Sequence, residues 1–122
     1  MKEIVKKWIR KSDHDFRNIE LIIEEDLYDL VCFHGQQCIE KLLKAYLIHN
    51  DKNIDKTHDL LKLLSECSSL DTSFDSLKKQ CSQLNDFAVD ARYPGEDIEQ
   101  DEAQTAYKIT QELREFILGK IQ

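Results

Sequence analysis

Between about Tyr28 and Asn50, apolar residues recur at helical spacing: Leu27, Val31, Gly35, Cys38, Ile39, Leu42, Ala45 and Tyr46, with Leu43 and Leu47 widening the stripe. A helix with so broad an apolar face belongs at the centre of a bundle, because no single neighbour covers it. The chain has three Gly and one Pro in 122 residues, too little punctuation for many short strands and too little length for two cores. The expected fold is all-α: an antiparallel up-and-down bundle of four long helices and one short helix, forming one domain over residues 1–122.

The neighbours of that central helix can be read in turn. A first helix runs from about Lys2 to Glu25, with Ile4, Val5, Trp8, Ser12, Asp15, Phe16, Ile19, Ile22 and Ile23 on its inner face. Two polar residues interrupt this stripe. Ser12 can bond to the backbone one turn back. Asp15 needs a cationic partner, because a buried carboxylate is costly unless paired; Lys41 or Lys44 is the expected one. A short third helix spans about His58 to Ser65 with Thr57 as N-cap. The fourth covers about Thr72 to Asp90, and Pro94 and Gly95 mark a turn. The fifth covers Gln100 to Lys120, with Ala103, Ala106, Tyr107, Thr110, Leu113 and Ile117 inward. Gly35 costs about 1 kcal/mol in mid-helix relative to Ala, so its presence predicts close approach of another helix.

The formal net charge is −7 and the pI about 5.0. That balance argues against autonomous nucleic-acid binding, which draws on cations against phosphates. It leaves room for a local basic groove, or one completed by a second subunit. Cys32, Cys38, Cys67 and Cys81 lack C-x-x-C spacing and sit among apolar helix residues, so they read as reduced core thiols. The N-terminus is charged and has no apolar core of a signal peptide, and no apolar run approaches membrane-spanning length. A cytoplasmic protein without a membrane partner is expected.

Two constellations could carry chemistry. The first is His34, Gln37, Lys41 and Lys44, at i, i+3, i+7 and i+10 of the second helix, with Asp15 across on the first and His58 opening the third. Lys and His on neighbouring turns suit a phosphate, and a helix start near His58 offers N–H donors. The same stripe also reads as an outer bundle face laced with ion pairs such as Glu40–Lys44. The second is Asp86 and Asp90, which share a helix face at i, i+4, with Arg92 and Tyr93 just beyond. These acids could act as paired carboxylates or hold a divalent metal; they equally fit two solvated acids near a helix end. His14, His34, His49 and His58 show no metal-ligand spacing, and no phosphate-loop or nucleophile-elbow motif occurs, so no metal or cofactor is expected.

The run Cys32-Phe33-His34-Gly35-Gln36-Gln37-Cys38-Ile39-Glu40-Lys41-Leu42-Leu43-Lys44-Ala45 resembles the signature second helix of the HEPN family, C-F-h-a-Q-Q-a-x-E-K-x-L-K-A. Trp8 followed by Asp15-Phe16 is similar to that family's first helix. Lys56-Thr57-His58-Asp59-Leu60 resembles its K-T-H-D-L entry to the third helix, and Arg92-Tyr93-Pro94 its R-Y-P after the fourth. The resemblance implies an antiparallel helical bundle, usually dimeric. It also implies pairing with a minimal nucleotidyltransferase in a two-component, toxin–antitoxin-like system, or else a metal-independent ribonuclease.

The ribonuclease branch carries Arg, four to six residues, then His, near the end of the fourth-helix region. Here Arg92 has no histidine after it; the last is His58. Such a nuclease needs His for proton transfer near neutral pH, and tyrosine is too weak an acid to replace it. The expectation is a partner-dependent binding module, homodimeric and open to a nucleotide or RNA, with His34, Gln37, Lys41, Lys44, His58 and Arg92 as ligand-binding residues and Asp15 as a structural polar group. The alternative is a ribonuclease with a non-standard site drawn from Arg92, Asp86, Asp90 and Tyr93.

Overall fold

The computed structural model describes residues 1–88 and 95–122. Among them are five α-helices and no strand: α1 (Glu3–Ile22), α2 (Tyr28–His49), α3 (Leu60–Leu70), α4 (Lys78–Phe87) and α5 (Gln100–Lys120). A 3₁₀ turn over Thr72–Leu77 runs directly into α4, so the fourth segment is continuous from Thr72 to Phe87. The helical bundle is therefore four longer segments with the shorter α3.

The starts of α3, the 3₁₀ turn and α5 are each fixed by side-chain hydrogen bonds. Asp59 caps α3 by accepting from the Leu61 amide, 3.0 Å away. Thr57, the expected cap, instead accepts from the Asp59 amide and shapes the turn before the helix. The helix consequently begins two residues later than the sequence suggests and runs on to Leu70. Asp71 is extended and its side chain accepts from both Ser73 N and Ser73 Oγ, which starts the 3₁₀ turn. That tighter helix brings Phe74 and Leu77, three residues apart, to the core together. Glu99 and Glu102 form a capping box at the start of α5. After α2, Asp51 takes a left-handed φ of 61°, a conformation that Asp tolerates better than most residues.

α2 is the hub, packing on α1 and α5 most extensively and also on α3 and α4. Its buried set, Val31 to Leu47, is the broad face seen in the sequence. One core gathers Leu42, Leu43, Leu63, Phe74, Cys81, Leu84, Leu113 and Ile117; a smaller one joins Ile19, Ile23, Val31 and Ala103 near the α1–α2 turn. Gly35 lies where α5 crosses: a Cβ there would stand 2.6 Å from Thr110 Oγ1. Two expected core positions are exposed. Ile4 lies in the first turn of α1, and Leu27 precedes α2 with a non-helical backbone. All four cysteines are free and buried, and burial pushes the Cys38, Cys67 and Cys81 thiols up to about 12. No helix among the described residues is long and apolar enough to cross a membrane.

Candidate ligand-binding site

The polar stripe of α2 splits into two networks, one at the α1–α2 groove and one towards the α2–α3 connection. In the first, Asp15 of α1 meets two residues of α2. Its Oδ1 lies 2.9 Å from His34 Nδ1 and its Oδ2 lies 2.5 Å from Lys41 Nζ. The carboxylate is 9% exposed, whereas His34 and Lys41 are 20% and 22% exposed. An acceptor on Nδ1 selects the tautomer protonated there and leaves Nε2 as a lone-pair acceptor outside that bond. The charge of Asp15 is balanced by Lys41, so the buried carboxylate has the paired cation that its position on α1 demands. Ser12 does not bond back along its helix; its Oγ sits 3.2 Å from Cys38 Sγ, beneath this network.

The second network is built on Glu40. Its Oε2 lies 2.9 Å from Lys44 Nζ and its Oε1 lies 2.8 Å from His58 Nδ1. Gln36 donates to the His58 carbonyl at 2.5 Å and reaches Glu40 Oε1 at 3.5 Å, and Gln37 donates to Gln36 Oε1 at 2.9 Å. Glu40 and Lys44 are 5% and 8% exposed, so this is a buried ion pair and not the outer-face pair that its spacing suggests. Trp8 covers it, with Lys44 Nζ 5.7 Å from the ring centroid. Lys44 is thus sealed from solvent, while His58 is 81% exposed. The network ties the segment before α3 to the middle of α2, which explains how an irregular chain from Asn50 to Asp59 is fixed over the helix.

The structure therefore brings Asp15, His34 and Lys41 together and joins Lys44 to His58 through Glu40. Gln37 joins the second group through Gln36. Asp86 is exposed near the end of α4 and makes no ion pair with another described residue. Asp90, Arg92 and Tyr93 lie outside the described residues. Sequence reasoning passed over Gln36 and read Glu40 only as the outer-face partner of Lys44. A signal was present: Gln36, Glu40 and Lys44 form an i, i+4, i+8 ladder.

Among the described residues no group of three or more His, Cys, Asp or Glu side chains could hold a metal ion. On the other flank of α1, an open groove of about 480 Å³ lies against α5, lined by residues including Phe16, Arg114 and Leu118. It contains none of the cluster. Arg114 there pairs with Asp13 at 3.1 Å and stacks on Phe16 at 4.6 Å, which fastens α5 to α1.

Chemically, the α1–α2 groove offers a tautomer-fixed imidazole and an ammonium two helical turns apart, with a carboxylate behind them. Such a set can accept an anion or move a proton. Phe33, exposed, places its ring edge-on to His34 at 5.2 Å.

A sequence model of the HEPN domain matches residues 5–121. No curated protein matches the sequence significantly. Two solved structures share the fold. ST0689, described as an archaeal HEPN homologue, superposes with a TM-score of 0.80 at 22% identity, covering 100% of both chains. TT1696 from Thermus thermophilus gives 0.78 at 21% identity, covering 98% of this chain and 99% of its own. At such identities the likeness speaks for the fold alone.

Proposed function

The chain belongs to the HEPN domain family, and from that membership we propose that it acts as a partner-dependent binding module and not as a free-standing enzyme. In this reading it is a cytoplasmic homodimer. It pairs with a minimal nucleotidyltransferase-type protein in a two-component, toxin–antitoxin-like system. The outer face of α2 takes an anionic ligand whose chemical class is a nucleotide.

The observation that carries the reading is the Asp15–His34–Lys41 arrangement. A charged residue facing a core normally does no more than neutralise its partner. Here the buried carboxylate holds two partly exposed groups in fixed positions, and both can meet a phosphate. The dimer rests on a separate feature. Leu27, Leu30 and Phe33 are 41%, 40% and 48% exposed at three-residue intervals just ahead of His34. An apolar band of this kind beside a polar cluster suits a protein interface. A second copy covering it would set two such clusters side by side.

The test is an RNA-cleavage assay in EDTA on the purified chain, with sedimentation of the same sample. The reading predicts a dimer that leaves RNA intact, and a monomer when Leu30 and Phe33 are both changed to Glu. Cleavage that disappears with Arg92→Ala would replace the binding reading with the ribonuclease one.

A further inference from the structure

Six of the seventeen Lys and Arg residues fall in the first seventeen positions, against three acids, in a chain whose net charge is −7. Lys7, Arg10, Lys11 and His14 stand at i, i+3, i+4 and i+7, which places them on one side of α1, away from the buried Val5, Ser12 and Ile19. All four are exposed. Their neighbours Lys6 and Arg17 pair with Glu3 and Glu20, but these four make no ion pair with another described residue. Like charges at i, i+3 and i, i+4 oppose helix formation mildly. The stripe therefore does nothing for the stability of α1.

We propose that this face of α1 docks an acidic helix of a partner protein. The inference rests on the pairing reading above and names the surface that pairing uses. From Lys7 to His14 the stripe is about 10 Å long, two helical turns. That length matches a ladder of carboxylates at i and i+4 on a second helix. A nucleic-acid strand fits less well. Extended along α1, it would leave the stripe and meet Glu20 and then, in the turn that follows the helix, Glu24, Glu25 and Asp26, all exposed. Phosphates are favoured by a continuous run of cations, and here the charge changes sign within about four turns. The stripe is also distinct from the Leu27–Phe33 band of α2, so dimer and partner need not compete.

The experiment measures fluorescence anisotropy of a short labelled helical peptide bearing Glu at i, i+3, i+4 and i+7, titrated with the full chain at low and physiological salt. Binding should weaken with salt and fall about tenfold or more in Lys7→Glu/Arg10→Glu/Lys11→Glu. The control Lys52→Glu/Lys78→Glu/Lys79→Glu has the same net charge, and should bind nearly as the wild type does. Circular dichroism of both variants confirms that they fold. An absent peptide signal at low salt, equal losses in both variants, or tighter binding of a single-stranded RNA oligonucleotide or phosphatidylserine vesicles at the stripe would each overturn the proposal. AMP titrated into the same samples separates the two readings: AMP bound without peptide rejects only the α1 surface, and neither bound rejects the binding module too.

Discussion

Gly35 of α2 and Thr110 of α5 meet so closely that a Cβ on the glycine would stand 2.6 Å from Thr110 Oγ1 and 3.3 Å from Leu84 Cδ1. Thr110 cannot swing away freely, because its hydroxyl donates to the Ala106 carbonyl at 2.8 Å. In an open helix Gly→Ala would gain about 1 kcal/mol. Here Gly35→Ala should lose about 1–3 kcal/mol through overpacking. Urea unfolding measures the difference, and Thr110→Ala in the same chain should return a large part of the loss. A Gly35→Ala protein more stable than wild type would show that α2 and α5 are not locked at this point.

Glu40 and Lys44 form a buried pair at 2.9 Å, so removing one member strands the other. Glu40→Ala should cost about 3–5 kcal/mol, the range for an uncompensated buried charge. Glu40→Leu/Lys44→Met removes both charges and should recover most of that. A Glu40→Ala variant unfolding at the wild-type urea midpoint would mean that the pair is solvated.

These two cases mark what a sequence of this kind discloses. The width of the α2 stripe identified the hub, and Gly35 announced the close crossing, because both follow from helical periodicity. The site was legible only in part. Asp15 stood out as a carboxylate on an apolar stripe, and its need for a cation pointed across to α2. Glu40–Lys44 did not stand out, since an i, i+4 pair has the same spacing whether Trp8 covers it or water does. The α3 boundary failed for a related reason: Thr57 and Asp59 are both competent caps, and the segment's tertiary tie through His58 and Gln36 decides between them.

Asp15 should dictate the imidazole tautomer of His34. With a carboxylate 2.9 Å from Nδ1, the neutral ring carries its proton on Nδ1. Long-range ¹H–¹⁵N spectra at alkaline pH should show this form for wild type. Asp15→Ala should shift it towards the Nε2-protonated form usual for free imidazoles. An unchanged spectrum would separate the two residues functionally.

Asp71 should give the fold a pH dependence in acid. The Ser73 hydroxyl, then the Ser73 amide, then Lys120 hold its carboxyl down at about 2, against an ordinary 3.8. A depressed folded-state pKa means that the stabilisation is present above about 3.8 and disappears as pH falls through about 2. Thermal unfolding of wild type minus Asp71→Asn should therefore shrink across that window and stay flat above it. A constant difference down to the lower pH would remove Asp71 as the cause.

Calorimetric titration of AMP into the purified protein tests whether the Asp15–His34–Lys41 face binds an anionic nucleotide. The account predicts saturable binding that is lost in Lys41→Met and weakened in His34→Gln, with both variants dimeric and folded. Heat of dilution alone in the wild type, or equal affinity in all three proteins, would contradict it and leave the cluster as packing between α1 and α2.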